Sequence, residues 1–246
     1  IWSMPPYEAN QMPYKFFLKF FQNHGLFKLK NRPQWYTVTN RSKTYVENIL
    51  SKISGEHFKN YPIKKIRRKS NGIDLYYGGE SEFFDYDKVV LATHADEALS
   101  IIDNPTDDEK KILSNFSYKE NIAYIHTDES IMPKNKNAWS SWNSSIKKNE
   151  IEKNSITYWL NLLQNLECEE NIFLTLNPYF EIDQSKILKK VKFTHPYFDQ
   201  TALDFQGKLK NLQNKRNILF CGSYFGYGFH EDGIKSSIEM LKNLDD

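Results

Sequence analysis

Asn217-Ile218-Leu219-Phe220-Cys221-Gly222-Ser223-Tyr224-Phe225-Gly226-Tyr227-Gly228-Phe229-His230-Glu231-Asp232-Gly233-Ile234-Lys235-Ser236-Ser237-Ile238 decides how this chain is read. An apolar run, Ile218-Leu219-Phe220, ends in a loop carrying Gly222, Gly226, Gly228 and Gly233, four of the ten glycines in the sequence. Ile234, Ile238 and Leu241 then recur at helical spacing. Strand, glycine loop and helix start together can cradle a large polar cofactor. Glycines let backbone amides approach a ligand, and a helix start offers unpaired N–H groups and the positive end of its dipole. Loop chemistry alone is equally satisfied by a plain glycine-rich turn before a terminal helix.

Two stretches carry a family resemblance, the upstream one being Tyr86-Asp87-Lys88-Val89-Val90-Leu91-Ala92-Thr93-His94-Ala95-Asp96, which contains the continuous apolar run Val89–Ala92. Gly222-Ser223 after a strand, then Gly228-Phe229-His230-Glu231-Asp232-Gly233 opening a helix, resembles the C-terminal flavin-binding segment of the FAD-dependent amine-oxidase superfamily. The narrower resemblance is to its bacterial NAD/FAD-binding oxidoreductase branch. It is carried by Ile1-Trp2-Ser3, Asn23-His24-Gly25-Leu26, Gln34-Trp35, His126-Thr127-Asp128, Asn177-Pro178 and His195-Pro196, with Gly226 through Gly233. One feature of the superfamily is missing. There is no G-x-G-x-x-G turn for the FAD pyrophosphate, and the only G-x-G is Gly226-Tyr227-Gly228. With Ile1 in first place, the expectation is a C-terminal fragment of a longer flavoprotein, holding FAD weakly or not at all by itself.

Composition sets the outer bounds. The 246 residues allow one large domain or two small ones. A formal charge of +2 makes no general case for nucleic acid. The two cysteines, Cys168 and Cys221, form neither a disulfide framework nor a metal motif, so a reducing cytoplasm is the default compartment. Lys15 and Lys19 interrupt the early apolar run, so no signal peptide is expected in the first thirty residues. No apolar run approaches the roughly 20 residues of a membrane span.

The periodicity predicts helices over 13–22 and 43–53. The first carries Phe16, Phe17, Phe20 and Phe21, either as core or as the lining for an apolar substrate. Residues 62–92 read as strands with turns at Asn71-Gly72 and Gly78-Gly79. Val89–Ala92 reads as a strand buried on both faces. Thr106-Asp107-Asp108-Glu109 has capping-box spacing. Strands are expected over 118–127 and 171–177, a polar surface loop over 134–154 around Trp139 and Trp142, and a helix capped by Asp199. Residues 156–166 are open between strand and helix.

The expected fold class is α+β: a mainly antiparallel substrate-domain sheet with helices, plus the C-terminal part of an FAD-binding domain. The resemblance implies a discontinuous division. Residues 1–53 and 106–212 would form the substrate domain, and 54–105 with 213–246 the remainder of the FAD-binding domain.

The resemblance also implies the site. A backbone near Ile63 would pair with the adenine edge, and Ala92, Thr93 and His94 would lie by the ribose and phosphates. Gly222 and Ser223 would follow the ribitol and pyrophosphate. Gly226, Tyr227, Gly228, Phe229, Glu231, Asp232 and Gly233 would form the flavin-side turn, with Asp232 alternatively a simple helix cap. Relatives often carry an acidic residue after the glycine pair, where this chain has Tyr224 and Phe225. His230 is the candidate catalytic residue, since histidine is the natural proton-transfer group near neutral pH and this one lies in the glycine loop. No histidine pair has metal-ligand spacing, so no metal is expected. Serine is off-centre in Gly222-Ser223-Tyr224-Phe225-Gly226, which argues against a nucleophile elbow. The basic run Lys64-Lys65 with Arg67-Arg68-Lys69 is either a solvated strand face or a contact for phosphate or lipid headgroups.

The implied activity is FAD-dependent oxidation of a C–N or C–C bond in a small or lipid-like substrate, by hydride transfer to flavin. A non-redox flavoenzyme such as a sugar mutase, or a non-catalytic remnant or partner subunit without FAD, stays open.

Overall fold

The computed structural model describes residues 11–34, 36–147 and 150–244, without the side chains of 151–153. Ile1-Trp2-Ser3 and Trp35, which carry part of the resemblance, lie outside the described residues. In chain order the first elements are α1 (Tyr14–Asn23), α2 (Ser42–Leu50), β1 (Lys65–Arg68), β2 (Ile73–Tyr76), β3 (Phe83–Tyr86), β4 (Val89–Leu91), α3 (Ala95–Ile101) and α4 (Asp107–Leu113). There follow β5 (Ser117–His126), β6 (Trp142–Lys147), β7 (Glu150–Trp159), α5 (Leu160–Gln164), β8 (Phe173–Leu176), β9 (Ile187–Tyr197), α6 (Gln200–Gln206), β10 (Ile218–Phe220) and α7 (His230–Leu241). This is the expected α+β class. Among the described residues, no helix is long and apolar enough to cross a membrane.

The chain divides into two compact units. One takes in Phe21–Gly55 and Lys119–His195; the other takes in Pro13–Phe20, Glu56–Tyr118 and Pro196–Asp246, each in its described residues. This boundary differs from the substrate and FAD division implied above. Residues 106–118 and 196–212 pack with the second unit, because Ile112, Leu113, Leu209 and Leu212 join the core formed on Leu91, Ile218 and Phe220.

In the second unit, β1-β2-β3 is an antiparallel meander. Its first turn requires glycine. Gly72 has φ +105, and a Cβ there would lie 2.7 Å from the Tyr86 carbonyl oxygen. Thr106 and Glu109 close the capping box of α4: the Glu109 amide donates to Thr106 Oγ1 at 3.2 Å, and the Thr106 amide to Glu109 Oε2 at 2.8 Å. β4 and β10 form a separate parallel pair, in register from Ile218↔Val89 to Phe220↔Leu91. Only part of β4 is buried as expected. Val89 and Leu91 enter the core, but Val90 on the opposite face is 41% exposed. α7 covers the same face at β10 through Met240 on Leu219 and Cys221. The outer edge of β10 is closed by a side chain. Gln213 Nε2 donates to the Phe220 carbonyl at 2.9 Å, and the Phe220 amide donates to Gln213 Oε1 at 3.0 Å.

The first unit is built on a five-stranded sheet of order β6-β7-β8-β5-β9. The segment expected as a polar loop instead forms the β6–β7 hairpin, with Trp142↔Tyr158 and Ser144↔Ile156 opposed. Its alternating Trp142, Ser144 and Ile146 give the strand one apolar-leaning face, a period-2 signal hidden by the surrounding Lys, Asn and Ser. Trp139 is buried with Met132 and Phe173, and its indole N–H donates to the Pro133 carbonyl at 2.7 Å. Residues 156–166 are both of the things they resembled: the end of β7, then α5. α2 has its expected helical spacing, yet no residue of it is buried.

Candidate functional site

The parallel pair delivers two turns to one end. Hydrogen bonds run from the Val89 amide to the Asn217 carbonyl (2.9 Å) and from the Cys221 amide to the Leu91 carbonyl (3.1 Å). The chain therefore leaves β4 through Ala92, Thr93 and His94 beside the place where it leaves β10 through Gly222 and Ser223. A Cβ on Gly222 would lie 2.7 Å from the Tyr224 ring and 3.4 Å from the Thr93 carbonyl oxygen, which shows how close the two turns come. Ligands of open parallel sheets bind at these carboxyl ends. Ser223–Phe225 is a 3₁₀ turn, and the leading amides of such a turn have no partner within it.

His94 stacks on Tyr118 with ring centroids 4.1 Å apart, and the Tyr118 hydroxyl accepts from the Ala95 amide at 2.9 Å. Burial pushes the Tyr118 phenol up from its ordinary range. Ile63 packs against the core of the same unit.

The glycine loop folds back on itself. Gly226 and Gly228 both donate their amides to the Ser223 carbonyl, each at 3.1 Å. A Cβ on Gly226 would fall 2.3 Å from Asp232 Oδ1. Gly228 has φ +92, and a Cβ there would meet Phe198 and Pro196 at 3.1 Å. These glycines make room for protein atoms.

Asp232 caps α7 by accepting the Phe229 amide at 3.0 Å. Tyr227 packs on Phe16 at 4.7 Å and Phe229 stacks on Phe20 at 5.4 Å, so the buried side of α1 is core packing. Gly233 lies in the first turn of α7, where a Cβ would meet only the Ser223 nitrogen, at 3.9 Å. Ser236 Oγ bridges the two turns: it accepts from the Gly222 amide at 2.9 Å and donates to the Gly233 carbonyl at 2.7 Å. His230 and Glu231 are exposed at the helix start, Glu231 pairing with Lys235 at 3.2 Å.

The structure thus gathers Ala92, Thr93, Gly222, Ser223 and Gly233. It turns Gly226 through Phe229 inward onto aromatic packing.

The basic run on β1 is neutralised within its own unit. Lys65 pairs with Glu80, Arg67 with Glu80 (3.2 Å) and Asp103 (3.3 Å), and Lys69 with Asp74 and Asp85 (both 2.8 Å). Arg68 pairs with Glu109 in the interior. These pairs favour the structural reading of the cluster over a phosphate or headgroup contact.

Two polar networks in the five-stranded sheet escaped the sequence reading. In the first, His126 is fully buried. The Asp128 amide donates to its Nδ1 at 3.1 Å, so the ring proton sits on Nε2 and goes to Thr175 Oγ1 at 2.8 Å. Thr175 then donates to Thr157 Oγ1 at 2.9 Å. Burial lowers the His126 pKa, against the opposing pull of Asp128. The Asp128 carboxyl is buried too, which alone would raise it. Hydrogen bonds from the Asp183 amide, from Ser130 and from Lys186 outweigh that and hold it down at about 2.

The second network starts from an obligatory donor. The Ile122 amide donates to Asn177 Oδ1 at 2.8 Å, so Asn177 Nδ2 faces Asn121 Oδ1 at 2.6 Å. Asn121 Nδ2 must then face His195 Nδ1, at 3.0 Å. His195 therefore carries its proton on Nε2. Only the register could have revealed these contacts. His126, Asn177 and His195 stand in recognisable motifs, but Asn121, Thr157 and Thr175 look ordinary along the chain.

No family model and no curated protein matches the sequence. Solved structures match in fold. A CLA-producing fatty acid isomerase from P. acnes aligns with a TM-score of 0.57 at 13% identity, over 82% of this chain and 51% of that one. A protein from Exiguobacterium sp. 255-15 assigned as a protoporphyrinogen oxidase aligns with a TM-score of 0.56 at 12% identity, over 95% and 58%. Putrescine oxidase bound to putrescine gives 0.56 at 10% identity, over 84% and 53%. At these identities the likeness is one of fold. The chain spans between about half and three-fifths of the length of these structures.

Proposed function

We propose that this chain is the C-terminal portion of an FAD-dependent oxidoreductase of the amine-oxidase type, oxidising a C–N or C–C bond of a small or lipid-like substrate. The observation that carries the reading is the parallel β4–β10 pair, whose two carboxyl-end turns lie side by side with Gly222 against Thr93. The fold likeness and the chain's share of its neighbours' length support it.

The residues present suit the cofactor in part. The Ser223 turn offers leading amides and the start of α7 lies against that turn, while the space a Cβ on Gly222 would fill is taken by the Tyr224 ring. The pyrophosphate turn is not among these residues. Bound FAD would supply hydride acceptance; the chain would supply its binding and orientation. Ala92 and Thr93 would border the ribose and phosphates, with Gly222 and Ser223 along the ribitol. The positive end of α7 would favour negative charge developing near it. His230 stands exposed at that helix start and is the candidate for proton transfer.

The test is FAD titration of the protein produced from its natural gene, beside a Gly233→Ala variant. Alanine in this helical position should raise thermal stability, by up to about 1 kcal/mol. A flavin held against this turn would lose affinity. Unchanged affinity in the more stable variant would overturn the reading, as would a natural protein without stoichiometric FAD.

A further inference from the structure

Charge is unevenly placed along this chain. Of its 33 basic and 31 acidic residues, six basic and one acidic fall within residues 27–54, so the rest of the sequence is net negative. The six are Lys28, Lys30, Arg32, Arg41, Lys43 and Lys52. Among the described residues, only Lys43 of these meets a carboxylate, Glu47 at 3.4 Å. Arg32 and Arg41 bond to neutral acceptors, the Lys28 carbonyl at 2.8 Å and Gln164 Oε1 at 2.9 Å. Lys65, Arg67, Arg68 and Lys69, by contrast, each have a carboxylate partner. Apolar side chains stand in water between the uncompensated cations. Gly25, with φ +63, closes a loop against Pro33, where a Cβ would fall 2.9 Å from the proline Cδ. Within that loop Leu29 is 92% exposed between Lys28 and Lys30, and Phe27 is exposed beside them. Tyr36 is 88% exposed. On α2, Val46, Ile49 and Leu50 line one side at helical spacing, and all three are exposed. Single exposed apolar residues are ordinary, but a concentration of them in one basic segment marks an interaction surface.

We infer that residues 27–54 dock on an anionic lipid surface, with the cations against the headgroups and Phe27, Leu29, Tyr36 and the α2 stripe entering the boundary between headgroups and acyl chains. The combination of unpaired cations and exposed apolar side chains selects the partner. A nucleic acid would meet the lysines and leave the apolar side chains in water. A neutral apolar partner would bury the cations unpaired. An anionic bilayer meets both, because aromatic and aliphatic groups settle at the headgroup boundary while long basic side chains reach back to the phosphates. This surface is separate from the flavin reading and does not depend on it, since binding to lipid needs no cofactor.

The test is co-sedimentation of the protein produced from its natural gene with two kinds of vesicle, phosphatidylcholine alone and phosphatidylcholine with about 30% phosphatidylglycerol. The anionic vesicles should bind at least about tenfold tighter, and the difference should shrink as salt rises from about 0.1 M to about 0.5 M. Lys28→Gln with Lys30→Gln should weaken binding about thirtyfold. Leu29→Ser should weaken it about tenfold. All three positions are exposed, so the melting temperature should stay at the wild-type value. Lys110→Gln with Lys111→Gln, on exposed positions of α4, should change binding by less than about twofold. Equal binding to the two vesicles, equal losses from the two lysine pairs, unchanged binding in folded Leu29→Ser, or no vesicle binding at all would each overturn the inference. So would a stable dimer that Leu29→Ser dissociates, which would give the surface to a second copy. Failure of the flavin reading would show separately, in the FAD titration.

Discussion

The covered and the open face of the five-stranded sheet share one backbone and differ in what closes them. On the covered face, Phe173 packs with Met132 and Trp139, and every polar group of the His126–Thr175–Thr157 ladder has a partner. On the more open face, Ala123 and Leu176 are buried, Ile125, Ile156, Tyr158 and Leu174 are half-buried, and Trp142 is 51% exposed. Burial with full hydrogen-bond satisfaction stabilises; half-buried apolar side chains contribute less, in proportion to the area they bury. One sheet can therefore carry a face that is packed and fully satisfied and another that is more loosely covered.

The largest expected effect lies on the covered face. Phe173→Ala removes a fully buried ring stacked on His126 and should cost about 3–5 kcal/mol, read as a shift of the urea midpoint. Asp128→Ala strands the Ser130 and Asp183 amides and should cost roughly 2–3 kcal/mol. Thr175→Val keeps the shape but leaves the His126 Nε2–H without its acceptor, for a loss of about 1–2 kcal/mol. Trp142→Ala, on the open face, should change stability by no more than about 0.5 kcal/mol. Equal costs for Phe173→Ala and Trp142→Ala would abolish the contrast.

The faces should also part company with pH. Burial favours neutral His126 in the folded protein, so its stabilising contribution is complete above the unfolded histidine pKa of about 6.5 and declines as pH falls below it. Asp128 acts lower: its contribution is present above the unfolded value of 3.8 and is lost as pH falls toward about 2. Stability curves of wild type and His126→Gln should diverge least below pH of about 5 and most above about 7. A constant difference across that range would remove the buried-neutral assignment.

Local signals were legible in the sequence wherever a short-range rule applied. The Thr106 box, the Asp199 cap and the Gly72 turn each follow from chemistry within a few residues, and the structure holds the expected contacts. The parallel strands were legible as apolar runs, although Val90 escaped the burial expected of them because α7 reaches only β10. Lys, Asn and Ser masked the β6–β7 hairpin, where pairing outweighs composition. Of the candidate site, the two turns at Thr93 and Gly222 were readable. The inward packing of Tyr227 and Phe229 was not, because it depends on Phe16 and Phe20, some two hundred residues away in sequence.

Gln213 gives the parallel pair a direction of assembly. Its side-chain amide occupies the hydrogen-bonding groups of Phe220 that a neighbouring strand would use, much as a terminating monomer ends a polymer. On β4, the N–H and C=O of Val90 point away from β10, because alternate residues of a parallel strand face opposite edges. The sheet can therefore be extended from β4 alone. Mispairing at β10, the usual hazard of an open edge, is forestalled by one residue contributed from seven positions upstream.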